Sequence, residues 1–174
     1  MPLDLTKGYQ SLRRGRVSET GFDYFITFCT ADRSRGLSDS KIAGALLAEC
    51  RATQADAVWT MRCGTVMPDH LHFLITLGNK LPLGKAVARL KSRTSALLQT
   101  TDLAWQSGYF DHRLRPHEDI LPYFLYIYLN PYRAGLISYE SEWPWLVCEP
   151  EDRDWFMSLL NHVLPEPEWL MGLP

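Results

Sequence analysis

Two histidines, His70 and His72, stand two positions apart at the start of an apolar run that ends at Leu77. Side chains of a β-strand project alternately to its two faces, so in a strand both imidazoles would leave from the same face and could hold one metal ion. A divalent ion held by two imidazoles, with positions left open, can polarise a phosphate. The alternative is a half-buried strand whose histidines are hydrogen-bonded core residues.

A second segment carries a nucleophile. The sequence predicts a helix of about two turns that begins near Pro122 and is disturbed by Pro131. On such a helix Tyr126 and Asn130 are four residues apart and share a face, whereas Tyr128 points roughly the other way. A phenol and a carboxamide placed against the histidine strand would supply a nucleophile and an oxygen ligand for a hard divalent ion. The alternative is that these tyrosines are ordinary core aromatics.

Together these segments resemble the HUH single-tyrosine transposases, and within them the REP-associated tyrosine transposases of bacteria. The resemblance spans roughly residues 10 to 147 and rests on four pieces in the same order: His70-Leu71-His72, 105–112, the segment from Tyr126 to Pro131, and 133–137. It implies that Tyr126 is the nucleophile and that Asn130 is a third, amide-bearing metal ligand beside His70 and His72.

The resemblance implies metal-dependent cleavage and rejoining of single-stranded DNA through a 5′-phosphotyrosine, at hairpin-forming repetitive palindromic sequences. The expected partner is single-stranded or hairpin DNA, and a monomer is favoured over a dimer. An amide oxygen ligand and the need for open positions favour Mg²⁺ or Mn²⁺. Two other functions fit the same residues: a metal-dependent hydrolase that forms no covalent intermediate, and a catalytically silent nucleic-acid-binding domain.

The charge of the chain is unevenly distributed. Residues 1–138 hold 17 Lys and Arg against 12 Asp and Glu, whereas residues 139–174 hold one Arg against eight acids. A basic part next to an acidic tail suits a surface that meets phosphate. The residues that we expect to contact DNA form an N-terminal cluster, one face of a helix and a short aromatic-rich segment: Arg13, Arg14, Arg16; Lys85, Arg89, Arg93; and His112, Arg113, Arg115. The alternative for the first two groups is a solvated face, and the alternative for His112 is a surface histidine beside Asp111.

Length and composition favour one compact domain, since 174 residues that are 46% hydrophobic can bury a sufficient core. We expect a catalytic domain over residues 1–147 and an acidic extension over 148–174. The sequence shows no signal-peptide core and no apolar run long enough to cross a bilayer. The four cysteines lack paired metal-site spacing, so we expect reduced thiols in a cytoplasmic protein. With DNA as the partner that the resemblance implies, we expect association with the nucleoid and no membrane partner.

The order of elements predicts an α+β fold. The pattern favours a ferredoxin-like antiparallel sheet, with the histidine pair on a central strand, the tyrosine on a C-terminal helix and the helices packed on one face. A helix is expected to start near Ser38 or Ser40, and Gly135 suits the end of the tyrosine helix. The predicted elements are strands 23–30, 57–66, 71–77 and 105–110, with helices 42–55 and 83–98 before the tyrosine helix.

Overall fold

A computed structural model describes residues 18–138 and 140–158. Within these residues the chain forms five strands and four helices. The strands are β1 (Asp23–Cys29), β2 (Trp59–Val66), β3 (His70–Leu77), β4 (Phe110–Arg113) and β5 (Leu146–Cys148); the helices are α1 (Ser40–Ala55), α2 (Leu83–Gln99), α3 (Leu121–Arg133) and α4 (Pro150–Met157). A single 3-10 turn, Ala31–Arg33, follows β1.

The strands form one antiparallel sheet in the order β4-β1-β3-β2-β5. The first four strands have the ferredoxin-like order, and β5 extends the sheet beside β2. Strand β3 is central and hydrogen-bonded on both sides, to β1 and to β2. The predicted α+β fold is therefore confirmed.

Helices cover both faces of the sheet, so the expectation that they pack on one face is wrong. Helices α1 and α2 pack on the face that carries Ile26 and Phe73, whereas α3 and α4 pack on the face that carries Phe25 and Leu74. The reason is visible in β3, where the residues from Leu71 to Ile75 are all buried. A strand that is apolar on both sides needs a cover on both sides.

Two boundaries differ from the sequence prediction. The residue that caps α1 is Asp39 rather than a serine, because its carboxylate accepts hydrogen bonds from the backbone N–H groups of Lys41 and Ile42. The fourth strand comes later than expected, at Phe110–Arg113. Trp105, at the predicted position, makes only an isolated bridge to Thr30.

Helix α3 continues through Pro131 to Arg133, although the sequence predicts that the proline disturbs it. A proline removes one N–H donor, and here the helix needs only two more residues before it ends. Gly135 follows with a φ of +65°, the left-handed conformation expected of a glycine after a helix.

Helix α4, which follows β5, packs into the core on the α3 side of the sheet. Phe156 of α4 is fully buried, and Arg62 of β2 pairs with Asp152 at 2.5 Å. The domain boundary expected between residues 147 and 148 falls inside β5. Among the described helices, none combines the length and the apolar character needed to span a bilayer.

Candidate active site

His70 and His72 lie at the start of β3 and face α3, as the two-residue period predicts. Their ring centroids are 4.5 Å apart. His72 is only 3% exposed, whereas the His70 side chain is 12% exposed. Both imidazoles lie at one end of the central strand, and the ring of His72 contacts the helix that carries the tyrosine.

Of the two ring nitrogens of His72, one is hydrogen-bonded and the other is unpaired within the described residues. Its Nδ1 lies 2.7 Å from the hydroxyl of Thr27, its cross-strand partner on β1. Its Nε2 is buried and has no hydrogen-bond partner among the described residues. A buried, unpaired imidazole nitrogen is costly unless something binds it. When Nδ1 donates its proton to Thr27, the lone pair of Nε2 is free to hold a metal.

His70 is oriented by its sequence neighbour. Its Nδ1 lies 2.6 Å from the carboxylate of Asp69, which directs Nε2 away from that carboxylate. The same carboxylate pairs with Arg33 at 2.7 Å. Each histidine is thus fixed through Nδ1, by Asp69 for one ring and by Thr27 for the other.

Tyr126 meets the histidine pair from α3. Its ring centroid is 5.0 Å from that of His72 and 5.8 Å from that of Phe25, edge-on to both. Its phenol oxygen shares a hydrogen bond with the side chain of Asn130, one turn further along the helix. Tyr128 points away and packs against Phe156 with a centroid distance of 5.2 Å.

The surroundings set the protonation of these groups. Burial lowers the pKa of His72 well below its usual value, and burial also lowers the pKa of His70 despite the opposing effect of Asp69. Burial raises the pKa of Tyr126, against opposing effects from Asn130 and from two nearby arginines, Arg133 and Arg33. Near neutral pH the imidazoles are therefore neutral, as ligands must be, and the phenol keeps its proton.

The donor set fits a divalent cation. In the described part of the chain no three His, Cys, Asp or Glu side chains converge on one point. A site here would therefore need the amide oxygen of Asn130 as the third protein group beside His70 and His72. The unpaired Nε2 of His72 is the observation that favours such a site. Two imidazoles and one amide oxygen suit a divalent ion that keeps open positions.

The basic face of α2 lies on the other side of the sheet from the histidines. Arg89 pairs with Asp56, and Arg93 pairs with Glu49 at 3.0 Å. Lys85 is exposed and has no ion-pair partner within the described residues. The structure therefore does not bring this group of cations to the histidine pair.

The segment after Phe110 divides between the two faces. His112 faces α3, where it stacks on Tyr123 and lies 2.7 Å from Glu118. Arg113 points to the opposite face, pairs with Glu19 and lies over an aromatic ring. Arg115 is exposed. The remaining predicted contacts, Arg13, Arg14 and Arg16, lie outside the described residues.

Sequence reasoning missed Arg33, Arg133 and Thr27. Arg133 is three residues after Asn130 on a helix already identified, so the rule that residues three or four apart share a helix face could have found it. Arg33 and Thr27 depend on the register of β1 against β3, which pairs Thr27 with His72 and Cys29 with His70. No local pattern in the sequence gives that register.

Comparison with known proteins decides the family. Residues 18–114 match the family described as "Transposase IS200 like". The chain belongs to this family. It is therefore a member of a family of enzymes that cleave and rejoin DNA.

A curated protein of Haemophilus influenzae, provisionally named a REP-associated tyrosine transposase, is 24% identical over 139 residues, which cover 70% of this chain and 77% of that protein. A solved structure of a REP-associated tyrosine transposase bound to a REP hairpin superposes with a TM-score of 0.64 at 22% identity, covering 75% of this chain and 79% of the other. This second likeness shows that the fold is shared.

Proposed function

We propose that this transposase cleaves and rejoins single-stranded DNA by transesterification, with Tyr126 as the nucleophile. The observation that carries the proposal is the position of the Tyr126 ring 5.0 Å from the ring of His72, beside Asn130. Tyr128, which is half-buried on the same helix and packs against Phe156, shows that a tyrosine of this helix need not meet the histidines.

The reaction exchanges one phosphodiester for another. The phenol of Tyr126 gives up its proton as its oxygen attacks phosphorus, and the bond from phosphorus to the 3′-oxygen breaks. The departing oxygen takes up one proton to leave a 3′-hydroxyl, so no net proton is gained or lost. The product on the enzyme is a 5′-phosphotyrosine. Because no high-energy bond is lost, attack by a 3′-hydroxyl on this intermediate rejoins the strand without ATP.

Asn130 has a double role in this proposal. Its effect on the pKa of Tyr126 is downward, which is the effect of an amide N–H donated to the phenol oxygen. That donation favours the phenolate as the proton leaves. The amide oxygen of the same side chain is then free to act as a ligand with His70 and His72. A bound Mg²⁺ or Mn²⁺ would neutralise charge that develops on the phosphate oxygens.

We further propose that the cleaved strand runs past the edge strand β4. Phe110 is 39% exposed, and its backbone pairs with Thr27, the residue that holds His72. Its ring lies 6.3 Å from Phe25, which in turn packs edge-on to Tyr126. An exposed ring at this distance from the nucleophile suits stacking with an unpaired base.

The DNA target that we propose is a hairpin formed by a repetitive palindromic sequence. A protein of the same fold has been solved bound to a REP hairpin, and the curated relative carries a name of the same class. We propose that one chain suffices, because Tyr126 already meets the histidine pair within a single copy.

The test is covalent capture. The protein is incubated with a labelled oligonucleotide that contains a REP hairpin and single-stranded flanks, with Mn²⁺, and a denaturing gel is examined for a protein–DNA adduct. Tyr126→Phe should abolish the adduct and leave DNA binding intact. Tyr128→Phe, on the opposite side of the same helix, is the matched control and should keep the adduct. An adduct in Tyr126→Phe would refute the assignment.

A further inference from the structure

Arg33 lies in an unusual turn at the entrance to the site. Asp32 and Arg33 have φ values of +53° and +55°, the left-handed conformation that residues other than glycine rarely adopt. The turn is tied to the residue before His70, because the Thr30 hydroxyl shares its one proton between the Ser34 carbonyl at 2.7 Å and the Asp69 carbonyl at 3.0 Å. Such conformations persist where the surroundings enforce them and are concentrated at functional sites.

The guanidinium of Arg33 reaches three neighbours of the site. Its Nε is 2.7 Å from the carboxylate of Asp69, one terminal nitrogen donates to the sulfur of Cys29 at 2.9 Å, and the other lies 3.5 Å from Nδ1 of His70. That Nδ1 already faces the Asp69 carboxylate at 2.6 Å. A carboxylate can only accept, so Nδ1 carries the proton and offers no lone pair to Arg33.

The terminal nitrogen beside His70 therefore has no acceptor among the described residues, and it lies next to the ring on its Nδ1 side. The side chain is 56% exposed, so an incoming group can reach it. An arginine held by a carboxylate at Nε presents its remaining donors in a fixed plane, which suits a phosphate. The nearest histidine, His70, is one of the two proposed ligands, so a phosphate at this nitrogen would lie beside that ligand.

We propose that Arg33 donates a hydrogen bond to a non-bridging oxygen of the scissile phosphate, while its bond to Asp69 keeps His70 oriented. This proposal rests on the function proposed above and adds a specific phosphate contact to it. The residue then acts in two ways: it touches the substrate through its terminal nitrogen, and it positions His70 through Asp69.

The test compares Arg33→Gln with Arg35→Gln in single-turnover adduct formation. Arg35 is exposed and two residues further along, so its variant removes the same charge from the same loop. Loss of a donor to a developing phosphate charge typically lowers the rate by about 10²–10³-fold, and we expect that loss for Arg33→Gln only. Arg33→Lys keeps the charge and the pair with Asp69. If Arg33→Gln proves unstable, the rate of adduct formation is measured with Arg33→Lys instead.

A substrate with a phosphorothioate at the scissile position distinguishes a direct contact of Arg33 with the phosphate from an effect of Arg33 on the orientation of His70. If Arg33 touches the phosphate, one sulfur diastereomer should slow the parent but have little further effect in Arg33→Gln or Arg33→Lys. Equal slowing in parent and variants would mean that Arg33 acts only through Asp69, and it would overturn the proposed contact. A rate for Arg33→Gln within twofold of Arg35→Gln would overturn the proposal as well. Absence of any adduct in the parent would instead refute the proposed function.

Discussion

The hydroxyl of Thr27 should be required for His72 to act as a ligand. Thr27→Val keeps the shape of the side chain and removes the oxygen that lies 2.7 Å from Nδ1 of His72. His72 is 3% exposed, so water cannot easily replace the lost partner. A buried polar group left unpaired costs about 1–3 kcal/mol of stability. For a domain of this size that corresponds to a decrease in melting temperature of roughly 2–12 °C.

Thr27→Val should also lower the affinity for the metal ion. A partner that orients a ligating histidine typically contributes about 10–100-fold in metal affinity or activity. We expect a loss in that range for Mn²⁺ binding to Thr27→Val, measured by calorimetry, and a similar loss in the rate of adduct formation. Stability is compared by urea denaturation in EDTA, so that the two effects are measured separately.

Thr65 provides a matched control. It pairs with His72 from the other neighbouring strand, is fully buried, and its hydroxyl has no hydrogen-bond partner among the described residues. Thr65→Val therefore removes a hydroxyl beside the same histidine without breaking a bond, and should leave stability unchanged or raised. If Thr27→Val and Thr65→Val behave alike in stability and in Mn²⁺ affinity, the orienting role of Thr27 is wrong.

Two other predictions concern acid and salt. The pKa of His72 in the folded protein is well below its usual 6.5, so as the pH falls the unfolded chain is protonated at this residue before the folded chain. The free energy of unfolding of the metal-free protein should therefore be unaffected by His72 above about pH 6.5. Below that pH it should fall by up to roughly 1.4 kcal/mol per pH unit. Urea midpoints between pH 7.5 and 5 should show a shallower decline in His72→Gln, and an unchanged slope would contradict the assignment. Arg89 and Arg93 are already paired with acidic residues, so only Lys85 of this helix face is expected to contact a phosphate. Replacing all three by Ala should therefore lower the salt slope of log affinity for hairpin DNA by about 0.7–0.9, the value for one phosphate contact, rather than by three times that. An unchanged slope would make this helix face a solvated surface.

The sequence could predict those features of the site that depend on the periodicity of a single strand or helix. The alternation of β3 and the four-residue spacing of Tyr126 and Asn130 are properties of single elements, and both appear in the structure. Thr27 and Arg33 could not be predicted, because their places depend on how β1 pairs with β3. The fourth strand was misplaced because aromatic Trp105 has a high strand propensity, whereas its indole donates to Thr94 on α2 and so serves packing between layers.

The central position of β3 has a consequence for local opening of the molecule. Amide hydrogens of a strand bonded on both sides exchange at opening free energies near that of global unfolding, whereas an element packed on a sheet through side chains can open with less free energy. The two histidines therefore belong to the most persistent part of the fold, and Tyr126 belongs to a layer laid over it. If Tyr126 is the nucleophile, a DNA strand joined to it would be attached to the helix layer, while the proposed phosphate site would remain on the doubly bonded strand.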